Sequence, residues 1–390
     1  MTSPKGSPIA VSERAIALDA LRGVALFGVL LVNLETIFRV SLFAQFLPSA
    51  AGPPESRADQ IVARILTIGL EFKAFTLFSL LFGVGLAAQH ERTSGRGIAF
   101  GSYAARRLGF LLVLGLAHLF LVWNGDVLAL YAVVGIALAL LLGLSTRVLF
   151  VLAIALFGAH LYPLPFPPPF ASFSALRHHV LEANRTYATG SFGETLAFRI
   201  REVRPVANLL LWTVPRVLGL FLLGACAWRK GVFRGEQRTL VRIVAGLGLG
   251  LGLAMSWASS SASVNLGTWR DVVSRSASLV PALGYASVVV VAFERPGLPR
   301  VQSALALLAP LGRMALTSYL TQSIVLSVLF YGWGFGLYGR LGEADAAAIG
   351  VTLFVAQAAL SAAWLRRYRF GPVEWLWRSF TYGARQPMRR

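Results

Sequence analysis

The sequence predicts an all-α, polytopic integral membrane protein of about ten transmembrane helices with both termini cytoplasmic. Three observations predict it. Of the 390 residues, 56% are hydrophobic and only 14% charged, with mean hydropathy +0.67; soluble domains run nearer a quarter charged. About ten apolar segments of roughly 17–25 residues recur along nearly the whole chain, the length a helix needs to cross hydrocarbon. Short segments of strand-like alternation are absent from the sequence, which argues against an outer-membrane barrel.

Residues 1–13 are polar and read as a loose cytoplasmic tail. The transmembrane domain is expected over 14–365. Its first span runs roughly from Ala15 to Ile37, with Asp19 and Arg22 one turn in and Asn33 and Glu35 near the far end. A run this long, holding Asp19 and Arg22 and lacking a small-residue cleavage site, is not expected to be a cleaved signal. A loop over 38–60 contains Pro48, Pro53 and Pro54. The second span, about 62–89, includes Glu71 and Lys73, and either tilts or keeps its first turns outside the hydrocarbon. After a basic connection from His90 to Arg107, the third and fourth spans fall at about 108–123 and 127–143, and a fifth runs from Arg147 to near His160.

The character then changes. Pro163 to Pro169 should be extended, because proline cannot continue a regular helix. Residues 172–204 are the most polar stretch, so an extracytoplasmic loop subdomain with one or two interfacial helices is expected at about 164–205. Later spans are expected near 207–228, 240–258, 278–293, 303–331 and 347–365, followed by a basic, aromatic cytoplasmic tail over 366–390.

Charge supports this topology. Lys+Arg 36 against Asp+Glu 17 gives a net +19. In a soluble protein that would suggest nucleic acid. Here the basic residues sit mostly in short loops beside apolar spans, where they set orientation and meet anionic headgroups. Membrane lipids, and not nucleic acid, are the expected partners. Arg92, Arg96, Arg106, Arg107, Arg147, Arg229, Lys230, Arg234 and Arg238 fall in predicted inner loops, whereas the Trp123–Asp126 corner carries net negative charge. The 164–205 loop is basic yet outside, which long loops tolerate. The only cysteine, Cys226, lies in an apolar span and reads as a buried small residue, so no intrachain disulfide is available.

The stretch that carries the functional signal is Arg106–Tyr131, RRLGFLLVLGLAHLFLVWNGDVLALY. A spanning helix rarely holds an ionisable side chain, because stripping water from it costs kilocalories. His118 followed by a Trp-Asn-Gly-Asp corner therefore reads as a site built into the membrane.

Leu18-Asp19-Ala20-Leu21-Arg22-Gly23 with Leu31-Val32-Asn33 resembles the opening of the YeiB-like family of bacterial membrane proteins, whose C-terminal half is a domain of unknown function. Phe78–Gly85, Gly115–His118 with Trp123–Asp126, Gly312–Tyr319 and Tyr368–Arg378 also match, so the resemblance covers nearly the whole chain. That family is distantly similar to the transmembrane acyltransferases, such as the lysosomal heparan glucosaminide acetyltransferase and bacterial surface O-acetyltransferases. The resemblance implies a multi-pass protein of the bacterial inner membrane. It also implies transfer of an acyl, by expectation acetyl, group from cytoplasmic acyl-CoA to an extracytoplasmic or lipid-linked acceptor, such as an envelope glycan. A second copy of the chain stays open as a partner.

For that chemistry the candidate catalytic residues are His118, Asp126 and Asn33. Desolvation keeps an imidazole neutral, as a general base needs; the alternative for His118 is a bond to a backbone carbonyl between packed helices. Asp126 could orient the imidazole or cap the next helix. Asn33 could donate to a developing oxyanion or bond a neighbouring helix. Trp123 is an interfacial anchor or a partner for a sugar ring. Arg22, Arg106, Arg107, Arg216 and Arg313 are the candidate ligands of the acyl-CoA donor. Arg22 could instead form a structural ion pair with Asp19, and Arg106 and Arg107 could serve topology alone. Glu35 is near enough the rim to be merely solvated, and Lys73 could pair with Glu71. Arg313, Ser318 and Gln322 recur at near-helical spacing and could face one cavity.

No metal is expected, since nothing near His178-His179 completes a ligand set. The GLGLGLGL run near 246–253 lacks the context of a phosphate loop and should let helices approach closely. Gly332–Gly339 marks a loosened span end. A proton-coupled transporter or exporter is the competing expectation, because intramembrane His, Lys and Arg suit one too.

Overall fold

A computed structural model describes residues 11–47, 56–95, 97–161, 170–261, 264–295 and 297–390. Residues 48–55 of the loop expected over 38–60, the Pro163–Pro169 run and most of the N-terminal tail lie outside these. Among the described residues every named element is helical, and the one β-bridge joins Tyr368 to Arg389. Seven helical stretches among the described residues are long and apolar enough to cross a membrane, and Leu128–Leu141, Thr146–Leu161 and Ala315–Phe330 are shorter apolar helices. By length and composition, then, this is a multi-pass membrane protein.

Helix α1 (Val11–Asn33) widens at its end into a π-helical turn, Leu34–Phe38. The expected second span is two helices, α2 (Arg57–Gly69) and α3 (Lys73–Ser94). A capping box closes the start of α2: the Ser56 hydroxyl accepts from Asp59 N–H while the Asp59 carboxylate accepts from Ser56 N–H. The break falls at Phe72, whose φ of 57° lies in the left-handed region, unusual for a bulky residue. Lys73 feels the Glu71 charge but forms no direct salt bridge with it. Its ammonium donates to Thr67 O, capping the last turn of α2.

Helices α4 (Phe100–Leu121) and α5 (Leu128–Leu141) form a hairpin around the Trp123–Asp126 corner, and α6 (Thr146–Leu161) follows. Polar α7 (Phe173–Thr189) falls within the expected polar stretch. It leads into α8 (Phe192–Arg229), which begins at a Ser191–Glu194 capping box and continues through Pro205 and Pro215. The last part of the polar stretch and the span expected at 207–228 are thus one unbroken helix. Cys226 is buried in it, as expected.

Helices α9 (Arg238–Ser260), α10 (Arg270–Ser276) and α11 (Val280–Glu294) follow. Small residues bring α9 and α11 together as expected: a Cβ on Gly248 would lie 2.8 Å from Gly284 Cα. The span expected at 303–331 is broken into α12 (Pro299–Ala306), α13 (Ala309–Arg313) and α14 (Ala315–Phe330), the first two opening on a proline in the first turn. Helix α15 (Glu343–Arg367) precedes α16 (Pro372–Tyr382). The 366–390 segment is therefore no free tail. Trp377 Nε1 donates to Arg107 O on α4, and Glu374 accepts from the Leu316 and Thr317 N–H groups, capping α14.

Candidate functional site

A cavity of about 1050 Å³ lies between α1, α3, α5 and α8, with α13, α14 and α16 closing one end. Along α1 its wall runs from Leu18 to Asn33, roughly 22 Å at 1.5 Å per residue. It continues past Thr36 to Gln45 and Phe46. Most of a bilayer's hydrocarbon depth is therefore lined by one continuous space.

One end is strongly basic: Arg22, Arg92, Arg107, Arg313 and Arg378 line it, with Asp19 and Glu374 as counter-charges. Helix packing sets these groups. A Cβ on Gly312 would lie 1.8 Å from Asp19 O, so only glycine lets α13 lie this close to α1 and bring Arg313 beside Arg22. Arg22 Nη1 meets Asp19 Oδ1 at 2.8 Å, the structural pair that the spacing allowed, yet its guanidinium stays about a third exposed to the cavity. The Arg107 guanidinium lies 3.5 Å from the Trp377 ring centre. Arg313 Nη2 donates to Arg369 O at 3.3 Å. Burial raises the Glu374 carboxyl above its ordinary value, while the hydrogen bonds from Thr317 and Leu316 pull it back.

Arg216 and Asn33 also line the cavity, whereas Arg106 does not. Arg106 lies on the part of α4 that turns outward, as residue i−1 of a cavity residue does on a helix. Ser318 and Gln322 do not share the cavity with Arg313 either. Gln322 Nε2 donates to Gln357 Oε1 and Ser318 O accepts from Gln357 Nε2, so both bond across to α15. The break at Met314 between α13 and α14 rotates them out of the phase that a straight helix would give.

His118 and Asp126 stand behind the cavity wall. Gly115 makes this possible: a Cβ there would lie 2.3 Å from Ala129 N, so α4 and α5 touch backbone to backbone one turn before His118. Asp126 does both things open to it. Its Oδ1 lies 2.9 Å from His118 Nδ1, and its Oδ2 accepts from Ala129 N–H at 2.8 Å, capping α5. A carboxylate only accepts, so Nδ1 is the nitrogen that donates to Asp126. Nε2 is buried with no hydrogen-bond partner among the described residues. The ring packs on Tyr319, centroids 5.2 Å apart, and Tyr319 itself lines the cavity. Tyr319 thus touches both the imidazole and the open space.

The rest of the corner is sealed. Trp123 is fully buried and stacked on Phe38, centroids 4.8 Å apart, so it is neither an interfacial anchor nor open to a sugar. Asn124 Nδ2 donates to Glu202 Oε2, which also accepts from the Tyr187 hydroxyl at 2.7 Å. Glu202 Oε1 lies 2.8 Å from His179 Nε2. His179 of the His178-His179 pair accordingly serves a carboxylate, and no group of three or more His/Cys/Asp/Glu residues among the described residues could hold a metal. Burial raises the phenols of Tyr187 and Tyr338 well above 10, and the nearby Glu202 charge adds to it. Glu35 is buried and bonded to Arg39 at 3.0 Å, not solvated at a rim. Ser79, deep as expected, bonds the Tyr131 hydroxyl at 2.6 Å.

Sequence reasoning missed Tyr319, Trp377, Arg378 and Glu202. Trp377 and Arg378 were hidden by reading the last segment as a tail. Its amphipathic spacing, Val373, Trp377 and Phe380 among charged residues, was the available signal.

The chain is similar to known proteins over its whole length. Residues 227–384 match the family described as a protein of unknown function, DUF418. The uncharacterized protein YxaH of Bacillus subtilis (strain 168) is 31% identical over 98% of this chain and 97% of its own length. The uncharacterized protein YeiB of Escherichia coli (strain K12) is 30% identical over 96% of this chain and 98% of its own. An uncharacterized 39.9 kDa protein in the amylase 3' region of Bacillus acidopullulyticus is 27% identical over 98% and 97%. With a relative above 30% identity aligned end to end, and the pattern Leu18–Asn33, Gly115–Asp126 and Gly312–Tyr319 now set around one cavity and its wall, the chain belongs to the YeiB-like, DUF418 family.

Proposed function

We propose that the protein is a membrane-embedded acyltransferase. It moves an acyl group, acetyl in the simplest case, from acyl-CoA to an extracytoplasmic or lipid-linked acceptor, a glycan in the reading the sequence favours. With about ten spans and both termini in the cytoplasm of a bacterial inner membrane, the basic end of the cavity faces the compartment that holds CoA. The observation that carries the proposal is that end: guanidinium groups of Arg22, Arg107, Arg313 and Arg378 around a space that continues into an apolar bore. Arginine forks match phosphate oxygens, and the bore suits a long thioester arm.

His118 supplies the base. The acceptor oxygen attacks the thioester carbonyl, and its proton passes to Nε2. The C–O bond forms, the C–S bond breaks, and the proton leaves His118 for the departing thiolate. Asp126 holds the Nδ1 proton and steadies the imidazolium between these steps. Tyr319 must swing aside for Nε2 to meet the acceptor, so its side chain serves as the gate to the base. Asn33, on the cavity wall, is placed to donate to the oxyanion.

Purified protein in detergent, incubated with labelled acetyl-CoA and an envelope extract, should label an extract component. His118→Ala should lower transfer about 10²- to 10⁴-fold while leaving acetyl-CoA binding intact. Full transfer by that variant rejects the dyad. A carrier is the second reading, favoured by the helix breaks at Phe72 and at Met314 beside the cavity. Uptake into proteoliposomes without any acyl donor would establish it instead.

A further inference from the structure

Arg216 sits well inside α8 without an acid to neutralise it. Its Nη2 donates to Thr76 Oγ1 at 2.7 Å and to Phe72 O at 3.3 Å. The Phe72 and Phe75 ring centres lie 5.6 Å and 5.7 Å from its guanidinium carbon. None of the ion pairs among the described residues includes it. A hydroxyl, a carbonyl and two ring faces hold the cation in place without cancelling its charge. In a spanning helix such a group faces a cavity and awaits an anion, and Arg216 lines the cavity.

This is a second basic place, apart from the first. Arg22 reaches the level of Gly85 on α3, where a Cβ would lie 3.9 Å from its Nη2, whereas Arg216 bonds Thr76 on the same helix. Those two levels are nine residues apart in the sequence, roughly 14 Å along the helix axis. Arg275 lines the cavity too and donates to His160 O at 2.5 Å, tying α10 to α6. Glu71 is the carboxylate in the lining near Phe72, so the cations outnumber it.

The same end opens sideways. Phe46, Phe72 and Trp212 line the cavity, yet 48%, 50% and 40% of their surface is exposed. In spanning segments such rings face lipid. An apolar, aromatic rim leading to an unneutralised guanidinium has the polarity pattern of an amphiphile: chains outside, phosphate within.

We propose that the Arg216 end binds a lipid through its phosphate group, entering from the bilayer between Phe46, Phe72 and Trp212. In naming a phosphate-bearing lipid as the acceptor the proposal rests on the acyl-transfer reading. The binding itself does not, and its test contains no acyl donor, so the two can fail separately.

The test uses the full chain in detergent, titrated with dioctanoyl phosphatidic acid, dioctanoylglycerol or inorganic phosphate and followed by tryptophan fluorescence. Phosphatidic acid should bind at least tenfold more tightly than dioctanoylglycerol. Arg216→Gln should abolish that preference and Arg216→Lys should retain part of it. Equal binding of the two lipids by the wild type overturns the proposal, as does an undiminished preference in a monodisperse Arg216→Gln protein. Inorganic phosphate competing as well as the lipid does at equal concentration overturns the lipid assignment. Should Arg216→Gln fail to fold, Arg275→Gln decides: a threefold or larger loss of preference supports the site, and an unchanged preference rejects it.

Discussion

The basic end of the cavity and the Trp123–Asp126 corner are both rich in polar side chains, but they use them in opposite ways. In the corner, Asn124 and Asp126 each bond a partner, and Glu202 gathers Asn124, Tyr187 and His179 onto one carboxylate. At the basic end, Arg22, Arg313 and Arg378 line open space with more positive charge than Asp19 and Glu374 can balance. The difference teaches how to tell architecture from chemistry inside a membrane. Charge consumed by neighbours specifies a fold, and charge left over specifies a ligand. His118 belongs to both classes, since one nitrogen is consumed by Asp126 and the other is unused.

That comparison can be broken by substitution. Glu202→Ala should have the largest effect on stability, about 3–5 kcal/mol, because it orphans a buried amide, a phenol and an imidazole together. Thermal unfolding in detergent measures it, and a loss under 1 kcal/mol would show that the corner is not a structural unit. Gly115→Val should cost about 1–3 kcal/mol by prising α4 from α5. It should also cut acyl transfer more than its stability loss explains, since it moves His118 from Asp126. Arg22→Gln and Arg313→Gln should each leave stability within about 0.5 kcal/mol and weaken acetyl-CoA binding about tenfold. Arg106→Gln, on the outward face of α4, should change neither.

Much of the fold was legible because hydrocarbon imposes a length on every span. The spans at 127–143 and 347–365 were found to within a few residues as α5 and α15, and the span at 108–123 ends close to the end of α4, which begins earlier, at Phe100. The errors lie where backbone geometry overrides hydropathy. Phe72 breaks α3 from α2 through a left-handed φ that composition does not encode, and Met314 splits the segment before α14 with no glycine or proline at the break itself. Of the candidate site, the His118–Asp126 pair was legible, because eight residues around a tight corner leave the two side chains few other places to meet. The cavity was not. It is made by residues from the first span to the last helix, and which arginine faces inward depends on helix phase, as the contrast of Arg106 with Arg107 makes plain.

The docking of α16 has one more consequence. The matched family region, 227–384, contains Arg313, Trp377 and Arg378, while Arg22, Arg107, His118 and Asp126 all lie before it. Glu374 secures the start of α14 and Trp377 clasps α4 across that divide. Expressed without its forerunner, the C-terminal portion would be half a vessel, its arginines facing no opposite wall.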